Sequence, residues 1–245
     1  MLETMERTPI LEGRVQCVQP SGGFRFSADA LLLARFAVEG EGGQPFVELA
    51  AGSGVVSAIL AKAGLGPGVA LELDELLCGC ARETMAANGL GERVRVERAD
   101  LRHLRELFPA GAVPLVVANP PYFPVGTARV SEDSSNAGAR HELTCTMGDV
   151  LSAGRYLLKE GGRLILVYPA WRLGELLHRL PAARLGEARL RLVHPREGRP
   201  ASLLLLEAAK ARKPRLVVEA PWNIHDAEGR YSRWYTELVE RVVGD

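Results

Sequence analysis

Three short stretches of this 245-residue chain carry residue types that suit a flat, polar ligand. Ala51-Gly-Ser-Gly54 joins an apolar run to a helical pattern. A glycine turn there permits close backbone approach at a helix N-terminus. Glu72 closes a second apolar run about twenty residues later, where an acid can accept hydrogen bonds from ribose hydroxyls. Asp100 closes a third, and its carboxylate suits either an adenine amino group or the first turn of the next helix.

A glycine turn with a distal acid fits a dinucleotide or S-adenosylmethionine. The dinucleotide is disfavoured because Ser57 stands where Gly-x-Gly-x-x-Gly needs its third glycine. Nothing else in the chain looks arranged for a pyrophosphate. Asn119-Pro120-Pro121-Tyr122 then separates the two. Its prolines remove two donors and stiffen the backbone after a strand. The Asn119 amide oxygen and Pro120 carbonyl then form a fixed pair of acceptors, matched to the two hydrogens of a planar amino group. Tyr122 adds a ring that can stack on a flat substrate.

The elements that must position these residues follow from periodicity. From Phe46 onward strands alternate with helices. Strands are expected at 45–50, 69–74, 93–98, 113–118 and 163–168. Helices are expected at 55–63, 75–88, 150–159 and 173–180. This alternation specifies a largely parallel sheet covered on both faces. Two further strand-like segments, 189–194 and 202–207, have no helical pattern between them and are expected to pair antiparallel at one edge. Residues 1–44 read as a helical extension with the apolar stripe 30–36, 45–210 as the core domain, 211–245 as a tail, and 124–139 as a loop rich in Gly, Ser and charge.

Composition bounds the class. Apolar residues make up 47% and charged residues 24%, the balance of a soluble globular chain. No apolar run reaches membrane-spanning length, and Met1-Leu-Glu-Thr-Met-Glu-Arg does not resemble a signal peptide; a cytoplasmic protein without a membrane partner is expected. Lys plus Arg and Asp plus Glu are 30 each, so no global field advertises nucleic acid. Locally, 179–215 carries ten basic residues against three Glu, which fits a solvated surface as well as an RNA-facing patch. Arg140, His141 and His194 are open between phosphate contact and ordinary surface, whereas Trp222, Trp234 and Tyr235 favour packing on the core over stacking on nucleotides. The four cysteines lack metal-ligand spacing, so no metal is expected.

At these residues the sequence resembles the class I S-adenosylmethionine-dependent methyltransferases that act on amino groups, over roughly residues 20 to 210. Gly23-Phe-Arg-Phe-Ser-Ala-Asp-Ala-Leu-Leu-Leu-Ala, Asn119-Pro-Pro-Tyr-Phe, Ala139-Arg-His-Glu and Val193-His-Pro-Arg-Glu-Gly-Arg-Pro-Ala narrow the resemblance to the bacterial tRNA1(Val) adenine-N6-methyltransferase family. It implies a Rossmann-like α/β fold: a seven-stranded, mostly parallel sheet with one antiparallel edge strand and helices on both faces. The implied cofactor is S-adenosylmethionine and the implied substrate an RNA, a tRNA anticodon-loop adenine methylated at N6. Carried over by residue, Glu48, Ala50, Gly52 and Gly54 line the methionine side of the donor. Glu72 and Leu73 take the ribose, Asp100 and Leu101 the adenine. Phe26, Ser27 and Asp29 belong to the extension that covers the donor, and Asn119, Pro120, Pro121 and Tyr122 hold the target base. Ala50 departs from the family's glycine, and its methyl group is expected to tolerate only ordinary backbone angles. Two other enzyme readings are methylation of a release-factor glutamine, by enzymes that the Asn-Pro-Pro-Tyr signature also resembles but that usually carry a separate N-terminal helical domain, and methylation of a ribosomal RNA guanine at N2. A non-catalytic binding module is the reading from a different class; retention of Glu72, Asn119 and Tyr122 argues against it.

Overall fold

Adjacent residues along the strand-like runs are buried in pairs. Phe46 and Val47, Leu115 and Val116, Leu164 and Ile165, and Leu204 and Leu205 all have no exposed surface. Neighbours in a strand face opposite ways, so both faces of the sheet must be covered. Strands buried on both faces are the mark of a parallel sheet clothed in helices.

A computed structural model describes residues 5–21, 28–39, 42–120, 145–213 and 215–241. The first part of the chain forms β1 (Met5–Ile10), β2 (Val15–Pro20), α1 (Ala28–Val38), β3 (Phe46–Leu49) and α2 (Val55–Lys62). Then come β4 (Gly68–Glu72), α3 (Glu75–Ala87), β5 (Val94–Arg98), a 3-10 turn (Leu101–Glu106) and β6 (Val113–Ala118). After residue 144 follow α4 (Met147–Leu157), β7 (Leu158–Pro169), a second 3-10 turn (Ala170–Arg172), α5 (Leu173–Ala182), β8 (Leu185–Arg196) and β9 (Leu203–Lys210). The chain closes with β10 (Val217–Val218), β11 (Trp222–His225) and α6 (Arg233–Arg241).

The large sheet runs β10-β8-β9-β7-β6-β3-β4-β5, with β11 also on β8. Its core of seven, β5-β4-β3-β6-β7-β9-β8, is the Rossmann-like sheet expected from the sequence. β5, β4, β3, β6 and β7 are mutually parallel, and β9 is antiparallel to both β7 and β8. One detail is corrected: the antiparallel strand lies one place in from the edge, not on it. The α5 crossover carries β8 past an open position, and the short 197–202 connection returns β9 into it. The short β10 and β11 then extend the edge beside β8.

The stretch before residue 45 is corrected too, because among its described residues only α1 is helical. Residues 5–20 form an antiparallel hairpin with Met5 opposite Pro20 and Ile10 opposite Val15. Exposed and half-buried positions alternate along β1, a period of two that no helix satisfies. The hairpin docks on α3: Thr84 Oγ1 accepts from the Val18 amide at 2.9 Å. Asn88, one helical turn on, accepts from the Gln16 amide at 2.9 Å and donates to its carbonyl at 2.7 Å.

Two apolar clusters sandwich the sheet. One joins α1, α2 and the hairpin to Phe46, Leu115, Val117 and Ile165. The other joins α4 and α5 to Val47, Val116, Leu164 and Leu166. The sheet is thereby held from both sides, and its strand ends are the free positions at which a site can be built.

Candidate active site

Register brings the sequence-distant residues together. Leu49 lies opposite both Leu71 and Ala118, and Glu72 opposite Arg98. Ala50, Glu72, Ala99 and Asn119 therefore emerge at the carboxyl ends of four adjacent parallel strands, spaced by roughly 4.8 Å each. The chain leaves β3 toward β4 on one side and later places β6 on the other. This is the topological switch point, where open α/β sheets bind ligands.

The turn after β3 is built from left-handed residues, with φ of 53° at Ala50, 56° at Gly52 and 76° at Gly54. The expectation that Ala50 keeps ordinary angles is thus corrected. The turn is pinned by Ala51 N donating to Leu71 O and Gly54 N donating to Ala51 O, each at 2.9 Å, and these bonds hold alanine where glycine would sit more easily. Gly54 has a second reason: a Cβ would come within 3.0 Å of Met85 Cε and 3.2 Å of Ala81 Cβ, where α2 meets α3. At Gly52 a Cβ would meet nothing within 4 Å, so the turn presents bare backbone to open space.

Two carboxylates stand behind it. Glu48 is 1% exposed; its Oε2 accepts from Ser57 N at 2.8 Å and from Ser57 Oγ in a short hydrogen bond. Burial pushes its pKa up to about 8 against the pull of the Ser57 hydrogen bonds, with nearby Glu72 adding to the rise. Glu72, 4% exposed, accepts from Gly52 N at 2.7 Å, Leu73 N at 2.7 Å and Asp74 N at 3.0 Å. It therefore ties the glycine turn to the end of β4 and fixes its carboxyl group at the strand ends.

Asp100 caps the 3-10 turn by accepting from Arg102 N at 2.9 Å and also pairs with the Arg102 guanidinium. That hydrogen bond, more than any other influence, holds its carboxyl below the usual range. Of its two sequence readings the structure shows the cap. Leu101 follows it and packs on the core. On the other flank Asn119 is half-buried and Pro120 buried just past β6. Asp29 sits in the first turn of α1. Phe26, Ser27, Pro121, Tyr122, Arg140, His141 and the 124–139 loop lie outside the described residues.

Several roles were not legible in the sequence. Ser57, which in the sequence stands where a third glycine would, holds Glu48. Arg102 engages Asp100. Cys17 Sγ, from β2, lies 3.7 Å from Ser53 Oγ and links the hairpin to the glycine turn. Trp171 projects from the 3-10 turn after β7, on the strand beside that of Asn119. A local signal existed only for Trp171, an aromatic just past an apolar strand.

Elsewhere, Trp222 is buried, stacked on Trp234 at 4.2 Å and edge-on to Phe36 at 6.3 Å. His194 Nδ1 is held by the Arg199 carbonyl. The basic segment divides: Arg189 and Arg191 are paired with Glu39 and Glu219. Arg184, Arg212, Lys213 and Arg215 are exposed where β8 begins and β9 ends, the opposite pole from the glycine turn. Among the described residues no group of His, Cys, Asp and Glu could hold a metal, and no helix is long and apolar enough to cross a membrane.

Glycine backbone beside open space, a buried acid at the next strand end and a further acid beyond it form a donor set that fits a nucleoside-bearing ligand. Together with the sheet order they define a class I methyltransferase fold. A crystal structure of a predicted O-methyltransferase from Agrobacterium tumefaciens superposes with a TM-score of 0.71 at 21% identity, covering 88% of this chain and 97% of that one. The Thermus thermophilus 16S rRNA N2 G1207 methyltransferase, solved with AdoMet and guanosine, superposes with a TM-score of 0.56 at 21% identity, over 86% of this chain and 51% of that one. In sequence the chain resembles the tRNA1(Val) (adenine(37)-N6)-methyltransferase of Porphyromonas gingivalis strain ATCC BAA-308 / W83. The two are 28% identical over 232 residues, which is 91% of this chain and 89% of the relative. No family model matches the chain.

Proposed function

We propose that the chain is an S-adenosylmethionine-dependent N-methyltransferase that modifies the exocyclic amino group of an adenine in RNA, N6 of a tRNA anticodon-loop adenine. The observation that carries this reading is the convergence of Asn119–Pro120, the Gly52 turn and Glu72 on the ends of adjacent parallel strands. The adenine choice, over a guanine or a protein glutamine, rests on the relative that matches nine-tenths of the chain.

Bound S-adenosylmethionine supplies an activated sulfonium methyl group. The protein's work is then to position and orient. Glu72 takes the ribose hydroxyls, the backbone from Ala50 to Gly54 lines the methionine side, and Leu73, Asp100 and Leu101 border the adenine. Asp29, with Phe26 and Ser27, belongs to the covering extension. The Asn119 amide oxygen and Pro120 carbonyl accept the two amino hydrogens of the target. That aims the nitrogen lone pair and strengthens both hydrogen bonds as the nitrogen becomes tetrahedral and positive. Tyr122 stacks on the base, which must leave its neighbours to reach the pole.

The test is methyl transfer from labelled donor to unmodified tRNA, with nucleoside mass spectrometry. N6-methyladenosine is expected with the native chain, and Asn119→Ala should lower its rate by about a hundredfold or more while retaining donor binding. Donor binding without any methylated nucleoside would sink the tRNA reading.

A further inference from the structure

Trp171 is 74% exposed, the most open large hydrophobic side chain among the described residues. Single exposed apolar side chains are ordinary, so exposure by itself decides nothing. Position and support add to it. The 3-10 turn Ala170–Arg172 stands at the carboxyl end of β7, next to β6, with Leu166 opposite Ala118. The ring therefore belongs to the same pole as Asn119, one strand over and a few residues further out.

Its mount is rigid and cationic. Ala170 N donates to Ser202 O at 3.0 Å, tying the turn to the start of β9. The Arg172 guanidinium lies 4.7 Å from the Tyr168 ring centroid and 5.6 Å from that of Trp171. It donates to both oxygens of Glu175, at 2.8 and 3.1 Å, and Glu175 also accepts from Arg179 at 3.0 Å. Two guanidiniums share one carboxylate, which leaves one positive charge in excess among the three, and with Arg172 beside it the indole still keeps most of its surface open.

We propose that Trp171 is a stacking platform for an RNA base flanking the one that is methylated, a positioning residue that rests on the RNA reading above. Extracting a target base leaves its neighbour with an uncovered face. An indole at the same pole covers that face without reading sequence, and the adjacent cation suits the phosphate backbone. Removing such a stack weakens binding by about five- to a hundredfold.

The experiment compares Trp171→Ala, Trp171→Phe and the native chain for tRNA binding, donor binding and steady-state methyl transfer. Trp171→Ala is expected to raise the RNA Kd and KM by about five- to a hundredfold, with kcat, donor affinity and Tm unchanged; Trp171→Phe should restore most of the loss. Bound RNA should quench tryptophan emission in the native chain, and that quench should vanish in Trp171→Phe. Unchanged RNA affinity in Trp171→Ala overturns the proposal, as does a loss accompanied by lower Tm or weaker donor binding. A change from dimer to monomer with RNA affinity intact would mean that a second copy covers the ring, and also overturns it. If RNA is methylated at native efficiency by Trp171→Ala, the platform falls and the methylation reading stands. If RNA binds through Trp171 without being methylated, the reverse holds.

Discussion

At the scale of single residues, the strand-end turn is where the chain departs from what its amino acids prefer. Ala50 occupies a left-handed conformation that costs an L-residue with a Cβ about 1–2 kcal/mol, partly offset because glycine is freer when unfolded. Ala50→Gly should therefore stabilise the fold by roughly 1 kcal/mol, read as a higher urea midpoint with unchanged m-value. Glu48 sets a pH dependence. Its folded pKa of about 8 lies above the ordinary carboxylate value because the group is buried, so the folded state keeps a proton that the unfolded chain releases. Its contribution is complete below the unfolded pKa and is lost as pH rises through the folded value. Stability should decline from about pH 5 to pH 8, and Glu48→Gln, which keeps an acceptor for Ser57 but cannot ionise, should flatten that decline in urea titrations.

Elements meet through polar contacts that no local pattern announces. The hairpin is anchored on α3 by Thr84 and Asn88, one turn apart on its face. Thr84→Val preserves shape but leaves the buried Val18 amide without its acceptor, at a cost of about 1–3 kcal/mol. Faster hydrogen exchange at Gln16 and Val18, with β3 and β6 still protected, would localise the loss to this joint. Uniform acceleration across the sheet would mean that hairpin and core open as one unit. At the far edge Arg191 lies 4.3 Å from the Trp222 ring and is paired with Glu39 and Glu219, so charge and aromatic packing together join α1 to the tail strands.

Over the whole molecule many of the basic residues of 179–215 fall into three groups. Some are internal ion pairs, Arg179 braces the corner near Trp171, and Arg184, Arg212, Lys213 and Arg215 lie at the pole away from the glycine turn. If RNA is taken at the strand-end pole, replacing Arg212 and Lys213 by Ser should leave its Kd within about twofold and the salt dependence of binding unaltered. A fall in the slope of log K against log salt would place RNA on the opposite pole and redirect the search for its contacts.

Legibility followed the range of the forces involved. The strand–helix alternation and the strand-end motifs are local consequences of periodicity and turn chemistry, so the sheet class and the placement of Gly52, Glu72, Asp100 and Asn119 at strand ends are legible directly. Residues 5–20 are not helical because the apolar stripe belongs to α1 alone and the segment before it has a period of two. β9's inward place depends on which gap a crossover leaves open, and Ala50's angles on hydrogen bonds from the neighbouring strand. Glu48 and Ser57, and Cys17 and Ser53, are brought together by the sheet's register and the packing of helices on it, and register puts the turn that carries Trp171 at the same pole as Asn119. Sequence by itself determined the alternating strands and helices of the core and the residue types at their ends; tertiary structure alone decided the hairpin and which of those groups meet, because burial and register act between residues far apart in the chain.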